Sequence, residues 1–325
     1  MFIKKALLVL YEKRCMMGEL RKDYFLDRWV VISPKRGARP HELSAVKKEE
    51  TACFFCPGNE AMTPPEIGRI ASNGSWQVRW FENKFAALKP EGPAMPRTDN
   101  RFFTFSSAFG YHEVVVETPR HDRQLAQLSV DGIETVLNVY ARRIAELERM
   151  QSVSYVNVFK NSGYLAGTSI VHSHSQVMAT AVVPQNIREK IVGIRKFLRC
   201  PYCDIISAEQ KGVRKCFENS DFIAFAPYAS QFNYEVWIFP KMHLARFEQV
   251  NFSSLAKILS QVLRKVKELD YNLLVQYGPK GEDFHFHIEI TPRPNIWGGF
   301  ELGSGIIINT VAPEDAAKFY RGEEQ

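Results

Sequence analysis

Apolar positions along the chain follow two spacings, one typical of helices and the other of strands. In residues 130–150 apolar side chains recur every three or four positions, and residues 252–269 have the same spacing. Both stretches are therefore predicted to be amphipathic helices. Runs of β-branched and aromatic residues predict strands at 113–118, 155–159, 235–239 and 273–276. The proline- and glycine-rich residues 89–97 are predicted to form a surface loop.

The two halves of the chain carry the same three motifs in the same order. Each half has a Cys-x-x-Cys pair, then a strand-like run that leads through proline to a histidine, and finally a His-x-His. The pairs begin at Cys53 and Cys200, and the His-x-His motifs begin at His172 and His285. An ordered three-part match indicates a duplicated domain. We predict an α+β fold in which domains 18–194 and 195–325 each have an antiparallel sheet carrying a long helix, with the two sheets either separate or joined.

Length and charge narrow the class of protein. The chain has 325 residues, of which 45% are hydrophobic, enough for two domains of ordinary size or one large domain. A formal net charge of +6 suits an enzyme that binds phosphate anions and is weak support for a nucleic-acid-binding protein, which usually has a concentrated basic face. No run of 18 apolar residues occurs, so we expect no membrane span.

The first ten residues imitate a short signal peptide, with a lysine pair followed by an apolar run. The run is short and no small-residue cleavage site follows it. We therefore expect an additional N-terminal segment, or a true start at Met16 or Met17, and a cytoplasmic protein.

Cysteine usage points to metal binding. Four of the six cysteines form the two Cys-x-x-Cys pairs, and in a large intracellular chain this pattern indicates metal ligands more than disulfides. The remaining two, Cys15 and Cys216, are predicted to be free thiols.

The segment Gly-Thr-Ser-Ile-Val-His-Ser-His-Ser-Gln at 167–176 concentrates groups with chemical function. On a strand His172, His174 and Gln176 point to one face, so two imidazoles and an amide converge. Just before them, Gly167, Thr168 and Ser169 can offer backbone N–H groups and a hydroxyl to a phosphate.

The pattern Gly-x-Ser-x-x-His-x-His-x-Gln resembles the active-site motif of the galactose-1-phosphate uridylyltransferases, the transferase branch of the histidine triad (HIT) superfamily. The resemblance extends from about residue 27 to residue 317, and further matching blocks lie at 27–34, 53–60, 78–88 and 159–163.

The resemblance implies that His174 attacks the α-phosphorus of a nucleotide sugar and forms a nucleotidyl-histidine. A sugar 1-phosphate leaves, and a second one then takes the nucleotidyl group, so the kinetics would be ping-pong. Gln176 and Ser169 would contact the phosphoryl group. Because a glutamine cannot act as an acid or base, Gln176 favours a transferase over a HIT hydrolase, which has a third histidine at this position.

The resemblance also implies a set of substrate contacts. It places Asn161, Arg36 and Arg39 on the phosphate side. It places Asn83, Phe85 and Val114 in the nucleoside pocket, with Phe54 a further candidate for its wall. Arg36 and Arg39 would act across a dimer interface at the neighbouring subunit's site, so a homodimer is expected. Phe300, Glu301 and Asn309 match the segment that recognises the sugar, and a surface loop is the alternative interpretation of that segment.

Two metal-ligand sets follow from the repeat and from the resemblance. Two thiolates and two imidazoles suit tetrahedral Zn²⁺, with a structural role in the family. The predicted first set is Cys53, Cys56, His121 and His172, and the second, by analogy, is Cys200, Cys203, His243 and His285.

The second set departs from the well-known bacterial-type enzymes, which use a glutamate and three histidines there. The chain is closer in this respect to the branch that includes plant ADP-glucose phosphorylase. His287 stands where His174 does in the first half, but Glu289 replaces the glutamine and the Gly-x-Ser lead-in is missing. We therefore interpret the second half as a degenerate copy with a structural His287.

Four functions are compatible with these motifs to different degrees. The favoured one is transfer of uridylyl between UDP-glucose and galactose 1-phosphate. An ADP-glucose phosphorylase, with phosphate as acceptor, uses the same chemistry. A dinucleoside-polyphosphate hydrolase is disfavoured by Gln176. A zinc-stabilised nucleic-acid-binding module is disfavoured because finger histidines are spaced three to five apart on a helix. The predicted partners are thus small nucleotide sugars and sugar phosphates, not nucleic acid or membrane.

Overall fold

The computed structural model describes residues 52–72 and 74–323, together with the backbone of two strands, Glu19–Lys22 and Trp29–Ile32. Five residues singled out from the sequence lie outside the described residues, namely Cys15, Met16, Met17, Arg36 and Arg39.

Six α-helices occur in the described part of the chain. They are α1 Val130–Leu147, α2 Gln185–Ile194, α3 Pro201–Glu209, α4 Phe252–Lys265, α5 Gly299–Ser304 and α6 Pro313–Arg321. The two predicted long helices are confirmed as α1 and α4, each about one turn shorter than predicted. Side-chain caps start both helices, since Ser129 Oγ accepts from Gly132 N at 3.1 Å and Asn251 Oδ1 accepts from Ser254 N at 3.2 Å.

The strands form two antiparallel sheets. A small sheet has the order β2-β1-β6-β5, and a large ten-stranded sheet has the order β10-β11-β12-β14-β13-β8-β9-β7-β4-β3. The strands are β1 Glu19–Lys22, β2 Trp29–Ile32, β3 Glu66–Ser72, β4 Ser75–Glu82, β5 Arg97–Thr98, β6 Thr104–Ser107, β7 Gly110–Val116, β8 Tyr155–Ser162, β9 His174–Thr180, β10 Lys215–Glu218, β11 Phe222–Phe225, β12 Val236–Pro240, β13 Tyr271–Gln276 and β14 His287–Pro292.

The ten-stranded sheet joins the two halves of the chain. The first half contributes five strands in the order β3-β4-β7-β9-β8, and the second contributes β10-β11-β12-β14-β13, which is the matching order. Antiparallel pairing of β8 with β13, from Tyr271 opposite Ser162 to Val275 opposite Val158, connects the halves. The predicted α+β fold with antiparallel pairing is therefore confirmed, and of the two arrangements left open the joined sheet is the one found.

The main core lies on the face of the sheet that carries α1 and α4, and this leaves the opposite face for the site. The two helices pack against each other, and their buried faces share a core with Val177 and Ala179 of β9. Because side chains alternate along a strand, His174 and Gln176 of β9 point to the face away from this core. Among the described residues, no helix is long and apolar enough to cross a membrane.

Candidate active site and metal sites

The position of His174 leaves one of its ring nitrogens with a free lone pair. It is the first residue of β9, lies opposite Val116 of β7, and is 6% exposed. Its Nδ1 lies 2.8 Å from the carbonyl oxygen of His172, an acceptor, so this nitrogen carries the proton and donates. The neutral ring therefore has its lone pair on Nε2.

The surroundings of His174 keep its imidazole uncharged. Burial, together with the positive charge of Lys160, lowers the pKa of His174 to about 4. The ring is therefore neutral near pH 7, the state in which Nε2 can attack phosphorus.

His174 and Gln176 line a pocket with largely apolar walls. The pocket is partly open to solvent. Arg79 of β4 is fully buried and holds one wall in place, because it donates to Phe54 O at 3.3 Å and to Thr63 Oγ1 at 3.1 Å. The pocket is lined by Phe54, Phe55, Met62, Thr63, Pro64, Phe81, Asn83, Lys84, Phe85, Val114, Gly167, Ser169, Ile170, His174 and Gln176.

A second, more polar pocket adjoins His174. Asn161 and Thr168 line it, together with Lys160 and Lys267. Asn272 Nδ2 donates to Asn161 Oδ1 at 2.9 Å and so orients the Asn161 amide. The structure thus brings most of the residues predicted from the sequence to the two pockets that share His174.

Two residues behind the site, His112 and Lys160, could not be identified from sequence motifs. No role was predicted for His112, yet its Nε2 lies 2.9 Å from Gln176 Oε1. Lys160 is 1% exposed, and its Nζ donates to Glu117 Oε2 at 2.7 Å and to His174 O at 3.1 Å. Strand pairing brings both groups under the site from distant parts of the chain.

The buried Glu117 carboxylate accepts several hydrogen bonds. Ser173 Oγ donates to it at 2.5 Å and Tyr140 OH at 2.8 Å, and Ser175 Oγ also donates to it. Burial alone would raise the pKa of Glu117, but Lys160 and the hydroxyl donors outweigh it and the pKa is lowered. The Glu117 carboxylate is therefore ionised, and its contact with Lys160 ties β8 and β9 to the end of β7.

The first predicted metal-ligand set is assembled as one cluster that could hold a metal ion. Cys53, Cys56, His121 and His172 each offer a ligand atom within 4.8 Å of the others. Cys53 Sγ lies 3.6 Å from His172 Nδ1, and Cys56 Sγ lies 3.5 Å from His121 Nδ1. Ligands at zinc–sulfur and zinc–nitrogen bond lengths in a tetrahedron stand about 3.5 Å apart, so the spacing fits. His172 Nε2 donates to Thr118 O at 2.7 Å and thereby turns the Nδ1 lone pair toward the thiols.

The second set forms a cluster of the same design. Cys203 Sγ lies 3.5 Å from His243 Nδ1 and 3.7 Å from His285 Nδ1, and Cys200 Sγ lies 3.9 Å from His285 Nδ1. His285 Nε2 donates to Pro240 O at 3.0 Å, the counterpart of the bond from His172 to Thr118. Asp283 Oδ1 accepts from His243 Nε2 at 2.7 Å. The duplication predicted from the sequence therefore extends to ligand orientation.

His287, the counterpart of His174, is enclosed by other side chains. Its ring stacks on Phe239 with centroids 4.4 Å apart, and Phe284 stacks at 5.6 Å. Its Nε2 lies 3.2 Å from Glu289 Oε1, which also accepts from Lys190. His287 is 0% exposed, so its imidazole is closed off from solvent.

The predicted sugar-recognition residues lie away from the His174 pocket of their own chain. Phe300 is 53% exposed on α5, and Glu301 Oε2 accepts from Gly298 N at 3.0 Å at the start of that helix. Asn309 Nδ2 donates to Ser230 O at 3.0 Å. Within the described part of the chain, none of the three is among the residues that line the pocket.

Comparison with known sequences gives consistent matches. The sequence model of the family described as galactose-1-phosphate uridyl transferase, N-terminal domain, matches residues 11–184. ADP-glucose phosphorylase of Arabidopsis thaliana is 33% identical over 93% of this chain and 92% of its own length. Galactose-1-phosphate uridylyltransferase of Thermotoga maritima is 30% identical over 95% of this chain and 99% of its own length.

Solved structures agree with these matches. The crystal structure of the Arabidopsis thaliana ADP-glucose phosphorylase with bound ADP-glucose is 32% identical, with a TM-score of 0.75 over 95% of this chain and 100% of that chain. A solved structure of a uridylyltransferase is 28% identical, with a TM-score of 0.78 over 94% of this chain and 97% of that chain. The predicted resemblance and fold are therefore confirmed.

Proposed function

Because the chain belongs to the galactose-1-phosphate uridylyltransferase family and is a nucleotidyltransferase, we propose that it transfers the uridylyl group of UDP-glucose to galactose 1-phosphate through a covalent intermediate on His174. The observation that carries this proposal is the hydrogen bond from His174 Nδ1 to His172 O at 2.8 Å. It leaves the Nε2 lone pair available to a group bound in the pocket that His174 lines.

The proposed reaction consists of two similar displacements. In the first, Nε2 attacks the α-phosphorus, a P–N bond forms, and the P–O bond to the β-phosphate breaks, so that glucose 1-phosphate leaves with the electron pair. In the second, a phosphate oxygen of galactose 1-phosphate attacks the same phosphorus and the P–N bond breaks. The proton stays on Nδ1 throughout. The incoming and leaving phosphates are anions, so no general base is required.

Polar groups around Nε2 suit the phosphoryl group. We propose that Gln176, Ser169 and the backbone at Gly167 contact its oxygens from the apolar pocket, and that Asn161 and Thr168 contact the phosphates from the polar pocket. Fixed donors aimed at developing charge are the usual source of stabilisation in transfers of this kind. Phe54, Asn83, Phe85 and Val114 would line the nucleoside pocket.

We propose that Zn²⁺ is held by both Cys/His clusters, Cys53–Cys56–His121–His172 and Cys200–Cys203–His243–His285. Zinc in four-ligand sites of this kind is structural. In the first cluster it would immobilise His172, whose carbonyl oxygen orients His174. Chemical support comes from the donor set and from the ligand spacings close to 3.5 Å.

We further propose that the active unit is a homodimer. Phe300, Glu301 and Asn309 lie away from the His174 pocket of their own chain, and a site completed by the neighbouring subunit accounts for this. Arg36 and Arg39 would act in trans in the same way. A cytoplasmic location stays a prediction.

A second candidate keeps the chemistry and changes the substrates. In an ADP-glucose phosphorylase, inorganic phosphate would accept an adenylyl group from His174. Two observations favour this candidate, namely the 33% identity to the Arabidopsis thaliana enzyme and the Cys/His composition of the second cluster.

A half-reaction followed by intact-protein mass spectrometry tests both candidates. Purified protein is mixed separately with UDP-glucose and with ADP-glucose in the absence of acceptor. A uridylyl adduct that disappears on addition of galactose 1-phosphate supports the first proposal, whereas an adenylyl adduct lost on addition of phosphate supports the second.

The His174→Ala variant should form neither adduct, and His174→Gly should regain transfer when free imidazole is added. Substantial turnover by His174→Ala would contradict the covalent mechanism. Release of free nucleotide without any acceptor would instead indicate a hydrolase.

A further inference from the structure

His112 of β7 lies directly behind Gln176 in a chain of hydrogen bonds that the proposed mechanism leaves unused. It is 3% exposed, its Nε2 lies 2.9 Å from Gln176 Oε1, and its Nδ1 lies 3.1 Å from the backbone nitrogen of Ala87. His112 pairs with Met178 across the β7–β9 ladder, so its ring reaches Gln176 diagonally on the pocket side of the sheet.

The Ala87 contact determines which nitrogen of His112 carries the proton. A backbone N–H can only donate, so His112 Nδ1 must accept and holds a lone pair. A neutral imidazole has one donor and one acceptor nitrogen, so the proton is on Nε2. Asn83 Nδ2 lies 3.1 Å from His112 Nε2. Asn83 Oδ1 accepts from Phe85 N at 2.9 Å, so the Asn83 amide has its NH₂ group toward the His112 ring. An NH₂ group cannot accept that proton, so Gln176 Oε1 is the acceptor.

This assignment fixes the orientation of the Gln176 amide. The two ends of a glutamine amide have nearly the same shape, and only hydrogen bonding distinguishes them. With Oε1 bound to His112, the NH₂ group is the end left to face the substrate. In the reverse orientation a carbonyl oxygen would face the anionic phosphoryl oxygens and repel them.

We propose that His112 is a positioning residue for nucleotidyl transfer, a role that rests on the function proposed above. It holds the Gln176 amide with its NH₂ group toward the phosphoryl group on His174. The second half of the chain supplies a comparison. Glu289 replaces Gln176 there, and because its two oxygens are equivalent it has no orientation to select.

Single-turnover formation of the nucleotidyl adduct tests this role. His112→Phe keeps a ring of similar size and removes the hydrogen-bond donor. The rate of adduct formation at saturating nucleotide sugar should therefore fall about 10-fold, the usual contribution of one hydrogen bond, with a much smaller change in KM. His112→Gln places an N–H near the position of Nε2 and should recover most of the rate. In a Gln176→Ala background, His112→Phe should cause no further loss, because nothing is left to orient.

Thermal denaturation of the same variants separates positioning from packing. If His112 only packs, the rates of adduct formation in His112→Phe and His112→Gln should follow the melting temperatures of the two variants. The loss of rate caused by His112→Phe should then also persist in the Gln176→Ala background. Either result overturns the proposal. An unchanged rate in His112→Phe overturns it and leaves the proposed function intact. If the wild-type protein forms no adduct with either nucleotide sugar, the proposed function fails, and the role of His112 fails with it.

Discussion

His174 Nδ1 donates to the carbonyl oxygen of His172 at 2.8 Å, and the imidazole of that same His172 belongs to the first Cys/His cluster. One residue thus connects a candidate metal site to the candidate nucleophile. The backbone of His172 sets the proton position on His174, while its side chain is held by Cys53, Cys56 and the Thr118 carbonyl oxygen. The first cluster is therefore expected to influence catalysis through geometry.

Replacing Cys53 by serine should remove one bound metal ion per chain and slow adduct formation by at least about 10-fold, because His172 loses its anchor. Cys200→Ser should also remove one ion, with a much smaller effect on adduct formation, since the histidines of the second cluster bond to Pro240 and Asp283 and not to β9 in the described part of the chain. Elemental analysis and the mass-spectrometric half-reaction measure the two effects. Cys216→Ser, at a buried thiol outside both clusters, is the control. Equal loss of rate in the Cys53 and Cys200 variants would contradict the connection.

The buried pair of Lys160 and Glu117 should be much more important for stability than an exposed pair. Lys160→Met leaves an uncompensated buried carboxylate and is expected to lower the free energy of unfolding by about 3–5 kcal/mol. The double variant Lys160→Met/Glu117→Gln should be more stable than Lys160→Met alone, because the glutamine is neutral and can still accept from the surrounding hydroxyls.

Urea denaturation measures these differences in unfolding free energy. Lys318→Met removes the exposed ion pair with Asp315 and should change stability by less than about 1 kcal/mol. A double variant less stable than Lys160→Met would show that the charges do not act as a pair.

Gln176→His should shorten the lifetime of the nucleotidyl intermediate in water. A histidine can exchange protons with an attacking water molecule, which a glutamine cannot do, and general acid–base help is worth on the order of 100-fold or more where geometry permits. The isolated adduct is incubated in buffer without acceptor and its decay is followed by mass spectrometry. Gln176→Ala controls for simple opening of the site. An equal adduct lifetime in Gln176→His and the wild type would show that the identity of this side chain does not protect the intermediate.

Two inactive variants should restore activity to one another if the sugar-binding segment acts in trans. His174→Ala lacks the nucleophile, and Glu301→Ala lacks a proposed sugar contact that lies away from the pocket of its own chain. Mixed dimers of the two, isolated with two different tags, should contain one intact site and regain turnover. Failure of the mixed dimers, or a fully active monomer, would show that each chain forms its own site.

The sequence predicts the parts of the site that depend on local motifs. The clusters around Cys53 and Cys200 follow from the repeated order of motifs and from the family resemblance, and the resemblance singles out His174. The partners of His112 and Lys160 could not be found in this way. Gln176 is 64 residues from His112, and Glu117 is 43 residues from Lys160, and only the register of β7, β8 and β9 brings them together. The sequence also left open whether the two sheets are separate or joined. The pairing of β8 with β13 could not be predicted, because pairing between distant strands has no local signature.

The duplication permits a matched pair of substitutions at His174 and His287. Both histidines follow a candidate metal-ligand histidine by two residues, and both donate through Nδ1 to its carbonyl oxygen, at 2.8 Å and 3.0 Å. They differ in access, since His174 lines the pocket whereas His287 lies between Phe239 and Phe284. His174→Gln should abolish adduct formation with little loss of stability. His287→Gln should lower the free energy of unfolding by about 1–3 kcal/mol and leave the rate of adduct formation close to that of the wild type. The two readouts are denaturation and the half-reaction, and a loss of adduct in His287→Gln at a temperature where the protein remains folded would show that the second half of the chain takes part in the chemistry.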